Sequence, residues 1–176
     1  MVGKIASGKG EAAEFLKSEY KAEVFRFSDI LKSVFSRLSM PNTRENLQAL
    51  GRVLRTLFGD NVLVEALKHD IEASKAKMVV VDGVRYQVEA DMVKSFPNSV
   101  LIYITAPDEV RYKRVLSRGT RGEKNITLEE FKKNEQNETE QAIDAVGAKA
   151  DIKIENTGTI KQLHTELQTT ISPKIK

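Results

Sequence analysis

Cysteine is absent from the 176-residue chain. Its absence excludes a disulfide framework and a thiolate metal site, and fits work in a reducing cytoplasm. Long apolar runs are missing too. None approaches the roughly 20 residues that a membrane helix needs, and the N-terminus lacks the apolar core of a secretory signal. Aromatic residues make up only 6% and do not interleave with the basic ones, which argues against nucleic acid as a partner. The net charge of +3 is small, and its basic residues are spread along the chain, so small anionic substrates account for them equally well. Internal repeats and low-complexity linkers are also absent. The remaining composition, 40% hydrophobic and 30% charged, is that of an ordinary soluble globular protein. We read residues 1–176 as one domain, monomeric or homodimeric, with a buried core.

Apolar residues follow two alternating periods, which predicts strands alternating with helices. Ala12, Phe15 and Leu16 form the buried stripe of a first helix opening at Gly8. AEVFRF (22–27) reads as a short strand, with Ser28 or Asp29 capping the next helix. The stretch NTRENLQALGRVLRTLF starts with a weak capping box, Thr43 to Asn46. It continues with Leu47, Leu50, Leu54 and Leu57 at helical spacing. Another helix covers about 60–74. KMVVVDG (77–83) and SVLIYITA (99–106) read as buried strands, and Pro107 starts a helix through about Arg118. A long polar helix, about 127–146, precedes the strand ADIKIEN and a last helix from about 159. This alternation predicts an α/β fold: a mainly parallel sheet with helices on both faces and ligands at the carboxyl ends of its strands.

Gly3, Gly8 and Lys9 spell G-x-x-x-x-G-K. Glycines let the backbone approach a phosphate chain, its amides and the following helix terminus bind the anion, and the lysine neutralises charge. VVVDGVR (79–85) ends a buried strand with Asp82, then Gly83 and Arg85. An acid at that position can hold a magnesium ion through water, and Arg85 projects towards an anionic acceptor. His69 and His164 fall on predicted helices without a metal-like cluster, so both read as structural or surface residues.

These residues resemble the nucleoside monophosphate kinases of the phosphate-loop superfamily. SGKG looks like the adenylate-kinase loop, and DGVRYQVEAD is similar to that family's Asp-Gly…Arg segment. FSDILK, LQALGRVLRTLFGDNVLVEAL and VVVDGVRYQVEAD together resemble the deoxynucleoside monophosphate kinases, while ADIKIENTGTIKQL is similar to the tail of dephospho-coenzyme A kinases. The resemblance implies a three-layer fold with a five-stranded sheet, a short first strand and a small lid. It implies ATP and magnesium as cofactors and ATP-dependent phosphoryl transfer to a monophosphate. Gly3, Ser7, Gly8, Lys9 and Gly10 would form the phosphate cradle, and Asn156, Thr157 and Gly158 would border the adenine. Asp29, at the end of the second strand, would meet the acceptor together with Arg44, Arg52, Arg55 and Arg85, in a helical region of about 29–76. Arg114, Arg118 and Arg121 would be lid arginines, with the lid at about 117–126 opening and closing. Arginine suits these tasks because its planar fork grips phosphate oxygens bidentately.

The bland readings run alongside. Arg111, Lys113 and Arg114 could be the solvated face of a helix, and Arg52 and Arg55 could form surface ion pairs with Glu45 or Asp60. Two departures from the family pattern stand out. Gly10 and Glu11 follow the lysine where a hydroxyl usually stands, and only Met1 and Val2 precede the loop. Either the chain is truncated at its start or the fold tolerates a stub of a strand. Dephospho-coenzyme A kinase is the alternative activity, set back because 29–82 shows no apolar surplus for a pantetheine arm. A nucleotide-binding module without catalysis is the second alternative.

Overall fold

The computed structural model describes residues 1–118, 126–136 and 138–174, the side chains of residues 44, 134, 138–140 and 174 excepted. Helix α1 (Lys9–Tyr20) leads to strand β1 (Glu23–Phe25), followed by helices α2 (Phe27–Arg37), α3 (Arg44–Phe58) and α4 (Val62–Ala73). Strand β2 (Val79–Val81), helix α5 (Gln87–Ser95), strand β3 (Ile102–Thr105) and helix α6 (Asp108–Arg118) come next. Helices α7 (Leu128–Glu135) and α8 (Glu138–Gly147), strand β4 (Ile152–Glu155) and helix α9 (Ile160–Ile171) complete the order.

The strands form two parallel pairs, β1 with β2 and β3 with β4. Val2 joins them. It makes parallel bridges to Val84, just beyond β2, and to Tyr103 in β3. Its N–H donates to the Ile102 carbonyl at 2.8 Å, and its own carbonyl accepts from Ile104 N–H at 2.9 Å. One residue therefore does the work of the central strand, and the spatial order becomes β1–β2–Val2–β3–β4.

Alternation along the strands divides the core in two. Met1, Val80, Ile102, Ile104 and Ile154 face a cluster completed by Ala12, Ala13 and Leu16 of α1 and by Leu163, Leu167 and Ile171 of α9. Val2, Val81 and Tyr103 point the other way, against Leu31 of α2, Leu67 of α4, Met92 of α5 and Ile143 of α8. Helices on both faces of one sheet give the expected three layers.

Four local expectations are corrected. The AEVFRF strand stops at Phe25, because Phe27 is buried and opens α2; Arg26 is the N-cap and makes no side-chain cap bond, so neither Ser28 nor Asp29 caps it. The long helix over 127–146 is two helices: α7 ends at Glu135, where Gln136 N–H turns back to the Lys133 carbonyl. Helix α5 had no counterpart in the reading of the sequence, and the Glu89 carboxylate reaches back to accept from the N–H of its N-cap Tyr86 at 3.3 Å. Leu38, Met40, Val53, Leu57 and Phe58 are exposed at 47–68%, so α3 and the turn after α2 do carry apolar side chains not spent on the core.

The α-amino group of Met1 lies in the interior and donates to the Val81 carbonyl. Burial lowers its pKa from 8.0 to about 5; Asp82 opposes that shift and Lys9 adds to it. Between those values the unfolded chain binds the proton that the folded chain refuses, so stability rises as pH rises from about 5 to 8 and is lost as pH falls. Adding four or five apolar residues ahead of Met1 should remove the buried α-amino group and supply ladder partners. The melting temperature should then rise and its slope over this pH range flatten; thermal scans of both chains at several pH values that superimpose would refute this.

Candidate functional site

The loop from Gly3 to Gly8 leaves the sheet between β2 and β3 and ends on α1. Two of its glycines are sterically required. A Cβ on Gly3, at φ +152°, would stand 2.2 Å from the Ile104 carbonyl oxygen; one on Gly8, at φ +110°, would stand 2.3 Å from Asn156 Nδ2. Ala6 is also left-handed, at φ 57°, a strained conformation of the kind concentrated at functional sites.

Four successive loop carbonyls accept hydrogen bonds from side chains. Lys9 Nζ donates to Lys4 at 2.9 Å, and Arg111 Nη1 to Ile5 at 3.3 Å. Arg114 Nη1 donates to Ala6 at 3.4 Å, and Asn156 Nδ2 to Ser7 at 2.8 Å. Because a trans peptide holds C=O and the next N–H on opposite sides, the N–H groups of Ile5, Ala6 and Gly8 are turned away from these donors. Gly8 caps α1 without a side-chain acceptor, which leaves the first-turn amides of α1 without intrahelical partners. Ser7 Oγ is fully buried and, among the described residues, has no hydrogen-bond partner. The loop is thus a concave set of donors at a helix N-terminus, a geometry that binds anions.

Its supports come from distant segments. Arg111 is 2% exposed and donates to the Ala106 carbonyl at 2.9 Å, to Asp108 at 2.7 Å and to both carboxylate oxygens of Glu135. Burial opposes its charge, but the Glu135 hydrogen bond and the nearby Glu135 and Asp108 carboxylates outweigh that and hold the guanidinium protonated. The solvated-face reading of Arg111 is therefore wrong. Its fixed spacing from Pro107 on a helix gave a signal of position but none of burial. Lys4 pairs with Asp144 of α8 at 2.7 Å, and Asp144 also accepts from the Tyr103 hydroxyl at 2.9 Å. Burial and that bond to Asp144 both raise the Tyr103 pKa.

Arg114 reaches the turn after β4 as well, donating at 3.4 Å to Asn156 Oδ1 and to the Gly158 carbonyl; burial lowers its pKa. Ser7, Arg114, Asn156 and Gly158 are thus linked by hydrogen bonds beside the loop that carries Gly3, Gly8 and Lys9, with Gly10 in the first turn of α1 and Thr157 exposed. Glu11 pairs with α9: His164 Nε2 lies 3.0 Å from its carboxylate, and the His164 ring stacks on Phe15 at 4.3 Å.

On the other flank, Asp82 ends β2 and pairs with Arg26 Nε at 3.0 Å, its side chain 11% exposed. The Gly83 and Val84 N–H groups donate to the Met1 carbonyl at 3.2 and 3.1 Å, which sets the turn after Asp82 beside the start of the loop. Asp29 is not at the end of a strand: it sits in the first turn of α2, half exposed and paired with Lys32 at 2.7 Å. With Arg26, Ser33, Ala66 and His69 it lines a cavity of about 550 Å³ between α2 and α4. Arg85 and Arg52 are exposed, and Arg44 opens α3. Arg55 pairs with neither Glu45 nor Asp60 in the bonds that define its position. Its Nη2 lies 3.4 Å from Glu89, its Nη1 donates to Gly51 at 3.3 Å, and its guanidinium sits 4.8 Å from the Tyr86 ring centroid. Glu89, 3% exposed, escaped the sequence reading, although its three-residue spacing from Tyr86 is that of a capping box. Arg118 is exposed at the end of α6, and Arg121, with most of the 117–126 lid, lies outside the described residues.

Among the described residues no cluster of three His, Cys, Asp or Glu side chains could hold a metal, and no helix is long and apolar enough to cross a membrane.

A phosphate-type loop between the central strand and α1, in a parallel sheet covered on both faces, gives the chain the fold of the phosphate-loop kinases. The chain belongs to the AAA domain family, which it matches over residues 2–132. Its curated relatives include UPF0200 proteins from Sulfurisphaera tokodaii, 30% identical over 96% of this chain and 92% of that protein, and from Methanoculleus marisnigri, 27% identical over 96% and 91%. The fold is similar to that of shikimate kinase from Aquifex aeolicus, with a TM-score of 0.59 at 16% identity over 97% of this chain and 94% of that one. Shikimate kinase from Acinetobacter baumannii, in complex with shikimate, gives 0.55 at 18% identity over 99% and 93%.

Proposed function

We propose that this protein is a small-molecule kinase that transfers phosphate from ATP to a nucleoside or deoxynucleoside monophosphate. The observation that supports this most is the loop itself: four carbonyls held by Lys9, Arg111, Arg114 and Asn156, with the opposed amides and the start of α1 left for an anion. Gly3, Ser7, Gly8, Lys9 and Gly10 cradle the ATP phosphates, with Arg114, Asn156, Thr157 and Gly158 beside the nucleoside. Ser7 Oγ, buried and unpartnered, gains the acceptor it lacks. Arg118 and Arg121 clamp the transferring group.

Magnesium would be carried in mainly by the phosphates. Gly10 offers no ligand and Glu11 is turned to His164, so Asp82, through water, is the carboxylate suited to it. When bound, the ion neutralises charge developing on the phosphate oxygens. The acceptor phosphate is already anionic, so the chain's task is alignment and charge neutralisation without a general base.

Arg85, Arg55, Arg52 and Arg44, with Asp29 at the margin, are the acceptor side. Arg85→Ala should raise the KM for the monophosphate roughly 10-fold or more, the worth of a charged hydrogen bond, while the KM for ATP stays within about 2-fold. Steady-state kinetics with ADP release measured over a panel of ribo- and deoxyribonucleoside monophosphates checks this; equal changes in both constants would refute the assignment. One observation favours a second reading. The exposed Leu38, Met40, Val53, Leu57 and Phe58 supply apolar surface that a pantetheine arm would need. Dephospho-coenzyme A therefore belongs in the same panel, and its efficient phosphorylation with every monophosphate inert would replace the first reading.

A further inference from the structure

We infer that Glu89 is a positioning residue for the acceptor site, acting through Arg55 and the main chain at Arg85. This rests on the kinase reading above. The carboxylate is 3% exposed, yet it faces three donors from two elements. Oε2 accepts from the backbone N–H of Arg85 at 2.7 Å and of Tyr86 at 3.3 Å, fixing the start of α5; Oε1 faces Arg55 Nη2 of α3 at 3.4 Å. Arg55 is thereby confined on three sides, by Glu89, by the Gly51 carbonyl and by the Tyr86 ring. Its side chain nevertheless remains 23% exposed. A guanidinium has five N–H donors, so donors remain for an incoming anion after those contacts.

An ionised carboxylate with little water is costly by itself. Burial raises the Glu89 pKa, while the Arg85 and Tyr86 amides and the Arg55 and Arg85 charges oppose the rise. A capping box alone does not require that charge, since glutamine at the same position serves as well. The charge is what holds Arg55 against α5. It brings α3, with Arg52 and Arg55, up to the Asp82–Arg85 turn, so that guanidinium groups from two elements meet one small dianion.

Glutamine separates the two roles. Glu89→Gln should keep the fold and the cap, with a melting temperature within a few degrees of the parent. It should raise the KM for the monophosphate about 5- to 10-fold with little change in kcat or in the KM for ATP. In an Arg55→Ala background the same substitution should add nothing, because a residue acting through Arg55 has no effect once Arg55 is gone. An activity-independent measurement accompanies these: phenylglyoxal modification of Arg55, followed by peptide mass spectrometry, should be several-fold faster in Glu89→Gln. Unchanged Arg55 reactivity, or a full additive effect in the double variant, would overturn the proposal. A parent chain inert on every acceptor with faster Arg55 modification in the variant would overturn the kinase reading and leave the Glu89–Arg55 coupling standing.

Discussion

Lys9→Met should reduce ATP turnover by at least about 10²-fold, the scale of losing one donor aimed at transition-state charge, and should weaken nucleotide binding in parallel. Lys9 sits in the first turn of α1, and its ammonium reaches back to the Lys4 carbonyl at 2.9 Å. With ATP bound, its flexible stem would carry the ammonium from that carbonyl to the β- and γ-phosphates. Methionine keeps an unbranched side chain one atom shorter and removes its charge and donors. The fold should persist, because Lys9 is not part of either core cluster. Circular dichroism and thermal melting should match the parent, whereas calorimetric titration with ATP should show little or no heat. Full nucleotide affinity in a folded Lys9→Met protein would refute the cradle.

Arg111→Ala should cost about 3–5 kcal/mol of stability, the usual result of leaving a buried charge unpaired. For a chain of this size that is a fall in melting temperature on the order of 10 °C. The orphan would be Glu135, 9% exposed and paired to Arg111 through both oxygens. The Ile5 and Ala106 carbonyls would lose their donor as well. Nucleotide affinity should drop with stability, since Ile5 is in the middle of the loop. The combined Arg111→Met and Glu135→Leu variant removes both charges and should recover most of the stability, but not the loop's affinity. A melting temperature unchanged in Arg111→Ala would show that the pair is not structural. Recovery of both properties in the double variant would show that the loop does not depend on the Arg111 donor.

Elements governed by local rules were legible. The G-x-x-x-x-G-K spacing located the loop, because glycine at Gly3 and Gly8 answers a steric demand and the residues between them are few. The β-branched runs around 79–81 and 102–105 gave the buried strands, and the Thr43 and Thr159 hydroxyls cap α3 and α9 by accepting from the Asn46 and Gln162 backbone N–H groups. Asp82 stands directly after β2, with Arg85 three residues further along the chain.

What the sequence by itself determined is thus the alternation of elements and the loop. Tertiary structure decided which charges are buried and whom they meet. Arg111 and Arg118 share one helix and look alike in sequence, yet one is 2% exposed and the other lies on the surface. Glu89 meets Arg55 across 34 residues, Asn156 meets Ser7 across 149, and Arg114 meets Ala6 across 108. No local propensity encodes such distances. They arise when two packed core layers bring α3, α6 and the turn after β4 to the same end of the sheet, where a hydrogen bond depends on the meeting of elements that only packing brings together.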